Sequence, residues 1–158
     1  MSQPAPEPDF DDLYREIILD HYRRPRHREP LAQPDVVAEG YNPLCGDEVE
    51  LGLRFDNGTV RDISLHGRGC SISQASGSML TEAVIGRPVG EARRLIELFT
   101  KMMTEPEDEA PAELGDLEAL QGVAKFPVRV KCATLAWHTL ADGLDQREAG
   151  GHVAQHEE

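Results

Sequence analysis

At 158 residues the chain is long enough for one domain with a proper core and too short for two ordinary ones. Its formal net charge of −13 argues against a nucleic-acid ligand, which requires clustered Lys and Arg. No apolar run approaches the length of a membrane span, and aromatics at 5% predict an aliphatic core of Leu, Ile, Val and Ala.

Residues 1–8 are Pro-rich and expected to be disordered; they lack the apolar stretch of a secretion signal, so a cytoplasmic location is expected. From Phe10 the pattern turns helical. Leu13, Tyr14, Ile17, Ile18, His21 and Tyr22 repeat at the spacing of one buried face, with Asp9 as N-cap and Pro25 as the stop. The basic cluster Arg23, Arg24, Arg26, His27 and Arg28 that follows reads as a solvated turn rather than a docking patch. A first short strand fits Val36 to Tyr41. Glu48 to Phe55 alternates, with Val49, Leu51, Leu53 and Phe55 on one face. Asn57-Gly58 predicts a tight hairpin turn, and Thr59 to His66 the returning strand.

Such a sheet needs helices to cover its apolar face, and the rest of the chain supplies them. Ile72, Ala75, Met79, Leu80 and Ala83 mark a second helix, and Ala92 through Met103 a third. The acidic stretch 104–122 reads as an inserted segment with a short helix around Leu117 to Leu120. Pro127 opens a last helix, and 148–158 reads as a flexible polar tail. The expectation is an α+β fold over 9–147: a three-stranded antiparallel sheet with helices packed on one face.

Three cysteines in such a chain read as thiols rather than a disulfide framework. Cys45 and Asp47 flank Gly46 just before the long strand, where a thiolate and a carboxylate can serve as adjacent ligands. Ser71 to Gln74 reads as a capping box with Ser71 as N-cap, placing Cys70 at the positive end of a helix. Cys132 falls near the start of the last helix, close to Arg129 and Lys131. Spacing alone leaves open the plainer alternative that each cysteine is buried and inert. His66 and His138 read as structural or surface residues.

Asn42-Pro43-Leu44-Cys45-Gly46-Asp47, Gly69-Cys70-Ser71-Ile72-Ser73-Gln74-Ala75-Ser76 and Val130-Lys131-Cys132-Ala133-Thr134-Leu135-Ala136-Trp137 resemble, in order, the three signature segments of the SufU/IscU (NifU N-terminal-like) iron–sulfur assembly family. The helix Leu13 to Pro25 resembles the family's opening. Lys131 stands where IscU-type scaffolds have a histidine, and Phe126-Pro127-Val128-Arg129-Val130 replaces their chaperone-binding segment. Together with the 104–122 insertion, these departures resemble the SufU branch. That resemblance implies a zinc ion on Cys45, Asp47, Cys70 and Cys132, with Cys45 accepting persulfide sulfur from a SufS-type cysteine desulfurase and passing it toward a downstream iron–sulfur assembly scaffold. A histidine of the desulfurase would replace Cys45 on the metal, and Arg129 and Lys131 would offset charge or contact the partner. The alternative is a scaffold that builds a [2Fe–2S] cluster on the same ligands. A hydrolytic zinc site would need an open position and a nearby general base, which the sequence does not offer. A purely structural zinc leaves the loop placement of Cys45 unexplained.

Overall fold

The computed structural model describes residues 10–105, 111–149 and 153–157. The Pro-rich start, the Asp9 cap and part of the acidic insertion lie outside them, and of Phe10, Leu13 and Tyr14 only the backbone is described. The elements run α1 (Phe10–Arg23), β1 (Val36–Asn42), β2 (Asp47–Asp56), β3 (Thr59–Arg68), α2 (Ser71–Val84), α3 (Val89–Thr104), a 3-10 segment (Ala112–Lys125), α4 (Pro127–Ala149) and β4 (Val153–Glu157).

β1, β2 and β3 form the expected antiparallel sheet. Val49, Leu51 and Leu53 turn one face of β2 inward, and Val60, Ile63 and Leu65 do the same on β3. Asn57 and Gly58 both take positive φ (51° and 78°), so the β2–β3 connection is the two-residue turn whose twist suits paired strands. Where the sequence suggests a polar tail, Val153–Glu157 instead adds a fourth strand, parallel to β1, giving the order β3-β2-β1-β4.

The helices cover the apolar face. α4 opens with Pro127, whose missing N–H costs nothing in the first turn, and it runs along β1 and β2. Trp137 of α4 stacks on Phe99 of α3, with centroids 4.6 Å apart, and its Nε1 donates to Ser76 Oγ on α2 (3.2 Å). Such a buried aromatic pair contributes about 1 kcal/mol beyond its area. On α1, Ile17 and Ile18 pack on the core and His21 is buried, but Tyr22, expected on the same face, is exposed. The 3-10 segment breaks at Gly115 (φ 54°) and buries Leu114, Leu117, Leu120 and Val123 against α3 and α1. No helix among the described residues is long and apolar enough to cross a membrane.

Candidate metal centre

The β1–β2 connection is a tight loop held from its first residue. Asn42 Oδ1 accepts from the Leu44 N–H (3.2 Å), and its carbonyl accepts from the Gly46 N–H (2.9 Å). Gly46 sits at φ +71°, which a side chain would strain. This closure leaves Cys45 exposed at the tip and carries Asp47 into the interior, where it has no solvent exposure.

Asp47 meets the start of α2. The N-cap is Cys70 rather than the expected Ser71: its φ and ψ are −69° and 169°, and its sulfur accepts from the Ser73 N–H at 3.5 Å. The Cys70 N–H, one of the donors a helix start leaves unpaired, donates to Asp47 Oδ1 at 3.0 Å. Gln74 reaches back over the turn; with its amide oxygen facing the chain it accepts from the N–H groups of Gly69 (3.0 Å) and Arg68 (3.2 Å). A Cβ at Gly69 would run into the Asp47 carboxylate and one at Gly67 into the Glu48 carbonyl, so this approach admits no side chain.

Cys132 comes from the second turn of α4 and is buried, its Sγ 3.4 Å from that of Cys45. One ligand atom from each of Cys45, Asp47 and Cys132 lies within 4.8 Å of the others. Cys70 stands beside this group, half-buried. Burial first, then the neighbouring Asp47 carboxylate and the Cys45 and Cys70 sulfurs, push the Cys132 thiol well above the ordinary thiol range. Arg129, exposed on the first turn of α4, lies against both sulfurs: the charge of Cys70, then hydrogen bonding and charge at Cys132, raise its guanidinium above its already high ordinary value. Lys131 is exposed on the same turn. His66 and His138 do not join the group.

The donor set fits a thiophilic cation. Asp47 Oδ2 is buried without any hydrogen-bond partner, an expensive arrangement for a carboxylate unless something positive completes it. Two adjacent thiols and this oxygen are the mixed sulfur and oxygen set that zinc accepts. Sequence reasoning missed Asn42; the only signal was an Asn-Pro turn before the cysteine.

Comparison with known proteins places the chain in a family. The chain is 44% identical to the zinc-dependent sulfurtransferase SufU of Bacillus subtilis over 141 residues, covering 89% of this chain and 95% of that one. It is 43% identical to the iron–sulfur cluster assembly scaffold protein IscU of Streptococcus pyogenes over 144 residues, covering 91% and 90%. Among solved structures, a candidate iron–sulfur cluster assembly scaffold for the SUF system from Fervidobacterium islandicum superposes with a TM-score of 0.78 at 34% identity, covering 86% of this chain and 99% of that one. The N-terminal part of a NifU-like protein from Brucella abortus gives 0.80 at 28%, covering 88% and 96%. The NifU-like N-terminal domain family matches residues 13–133, and the chain belongs to that family.

Proposed function

We propose that this protein is a zinc-dependent sulfur carrier for iron–sulfur cluster assembly, working in the cytoplasm: Cys45 accepts the outer sulfur of a persulfide on a SufS-type cysteine desulfurase and delivers it to a downstream assembly scaffold. The observation that carries the reading is the contrast between two neighbouring thiols. Cys45 is exposed on a loop hinged at Gly46, whereas Cys132, 3.4 Å away, is buried and fixed in α4. Similarity to SufU of Bacillus subtilis supports zinc as the metal, held by Cys45, Asp47, Cys70 and Cys132. When bound, zinc keeps its cysteine ligands as thiolates near neutral pH.

The transfer needs no external oxidant. The Cys45 thiolate attacks the terminal sulfur of the donor persulfide, one S–S bond forms, and the donor's own S–S bond breaks. The donor cysteine leaves as a thiolate, and the proton of the –SSH group stays on the moved sulfur. Asp47, Cys70 and Cys132 keep their places while Cys45 swings out. Arg129, already against Cys70 and Cys132, offsets negative charge at the site. Around the loop stand large apolar side chains that water should not keep bare: Leu44 is 74% exposed, Val128 67% and Phe126 61%. They suit docking of the desulfurase, with Lys131 supplying local positive charge on an acidic chain.

The test is alanine formation by the cognate desulfurase with zinc-loaded wild type or Cys45→Ala, together with mass spectrometry of the product. Wild type should stimulate turnover and gain one sulfur at Cys45. Sulfur gained at the normal level by Cys45→Ala overturns the assignment. A second reading, a scaffold that assembles a [2Fe–2S] cluster as cargo on the same ligands, draws on the likeness to the IscU scaffold of Streptococcus pyogenes. Anaerobic reconstitution giving a stable visible chromophore, transferable to an apo-ferredoxin, would favour it.

A further inference from the structure

Asp47 is not the only buried residue here with an unused polar atom. Asn42 is 1% exposed, and its Nδ2 is buried with no partner. Asn42 and Asp47 are the last register pair of β1 and β2. Facing residues of an antiparallel pair project to the same side of the sheet, with Cβ atoms roughly 5 Å apart. The amide's orientation is fixed by the loop: the Leu44 N–H requires an oxygen at Oδ1, so the other terminal atom is a donor. On Asp47, the Cys70 N–H takes Oδ1 and leaves Oδ2 without a partner. Across one strand pair, then, stand a donor lacking an acceptor and an acceptor lacking a donor. Each is costly to leave unpaired when buried, and the register places the two residues side by side.

We infer that Asn42 is a positioning residue of the metal centre, donating from Nδ2 to the Asp47 carboxylate and holding Oδ2 toward the metal. A carboxylate oxygen has two lone pairs, so Oδ2 can serve a cation with one and accept Asn42 with the other. Such outer hydrogen bonds fix the torsion of a ligating carboxylate, and their loss typically weakens metal binding 10–100-fold. The same residue carries the loop: its Oδ1 and carbonyl close the turn that holds Cys45 out. One side chain thereby ties the mobile sulfur ligand to the fixed oxygen ligand. When Cys45 departs, Asp47 stays oriented, because its second anchor lies on β1 and not on the departing sulfur.

The inference rests on the proposed metal site but not on sulfur transfer, and a double-mutant cycle separates it from a purely loop-shaping role. Zinc affinity is measured by competition with a chromophoric chelator for wild type, Asn42→Ala, Asp47→Ala and the double variant, and the Co²⁺ absorption spectrum is recorded for each. Three thiolates remain in Asp47→Ala to hold the ion. Asn42→Ala should lose roughly 10–100-fold in affinity in the wild-type background and almost nothing where Asp47 is already gone. Its Co²⁺ bands should shift only when Asp47 is present. Asn42→Ser, which can still close the turn through its hydroxyl, should behave like Asn42→Ala and covers the case in which the alanine variant does not fold. Equal losses in both backgrounds, or full affinity in Asn42→Ser, overturn the inference while leaving the metal site standing. A wild-type protein that binds no zinc overturns both.

Discussion

Two pockets of buried polar chemistry lie on either side of α2, and they are finished differently. At the α1–α2 junction the buried Ser78 and His21 side chains both have partners. Ser78 Oγ accepts from the Arg26 N–H (2.9 Å) and hydrogen-bonds with His21 Nδ1 (2.8 Å). Arg26 also bonds the Asp20 carboxylate, and the Arg26 and His27 side chains reach Glu82. At the other end, around the β1–β2 loop, Asn42 Nδ2 and Asp47 Oδ2 are equally buried and have no partner. The satisfied network joins two helices, with its outer ion pairs half-exposed. The unsatisfied one is shaped to receive something from outside. Neither burial nor an unfilled valence marks function by itself, since His66 Nε2 is also buried without a partner; what sets Asp47 apart is an unfilled valence beside two sulfur ligands.

That distinction can be broken from either side, most forcefully at the metal. Cys132→Ser should abolish zinc retention, taking bound metal after gel filtration from about one equivalent to near none, while Ser78→Ala leaves retention unchanged. Equal loss in both would erase the contrast. Stripping the metal from wild type should lower Tm by roughly 8–16 °C, since a ligand at a thousand times its Kd adds about 4 kcal/mol and each kcal/mol is worth about 2–4 °C at this size; differential scanning calorimetry with and without chelator reads this directly. Ser78→Ala orphans His21 Nδ1 and the Arg26 N–H together, so urea unfolding should show a loss of roughly 2–4 kcal/mol in both zinc-loaded and zinc-free protein.

The smallest effect is a pH slope. Burial first, then the Arg26 charge, lower the His21 pKa below its ordinary 6.5. The unfolded chain then binds more protons than the folded one just below that value. The stability this neutral histidine contributes is present above pH 6.5 and is lost as pH falls toward the lowered folded value. The slope cannot exceed about 1.4 kcal/mol per pH unit, the limit for one proton, and His21→Gln should remove it in urea titrations between pH 7 and 5.

The sheet was legible because its signals are local. Alternation at Val49, Leu51 and Leu53, and the Asn57-Gly58 turn, depend on neighbours in sequence. The cap of α2 was misplaced by one residue because Cys is a rare N-cap, and only the Ser73 N–H pointing at the Cys70 sulfur reveals it. Tyr22 has the spacing of a buried face, but that face of α1 runs out where the helix ends. β4 was missed because a polar strand pairing at a sheet edge carries no alternation to detect. At the site, the gathering of Cys45, Asp47 and Cys132 followed from family resemblance rather than spacing. The burial of Asp47 and the role of Asn42 depend on a strand register that no short window encodes.

Cys45 and Cys132 meet across 87 residues of chain. Closing a loop of that length costs chain entropy, and the β1–β2 loop and the last helix must be docked before the two sulfurs can share an ion. A chain with α4 undocked offers Cys45 and Asp47 without Cys132 and should hold the ion poorly. Metal binding therefore favours the docked state of α4: limited proteolysis should cut α4 faster in zinc-free than in zinc-loaded protein.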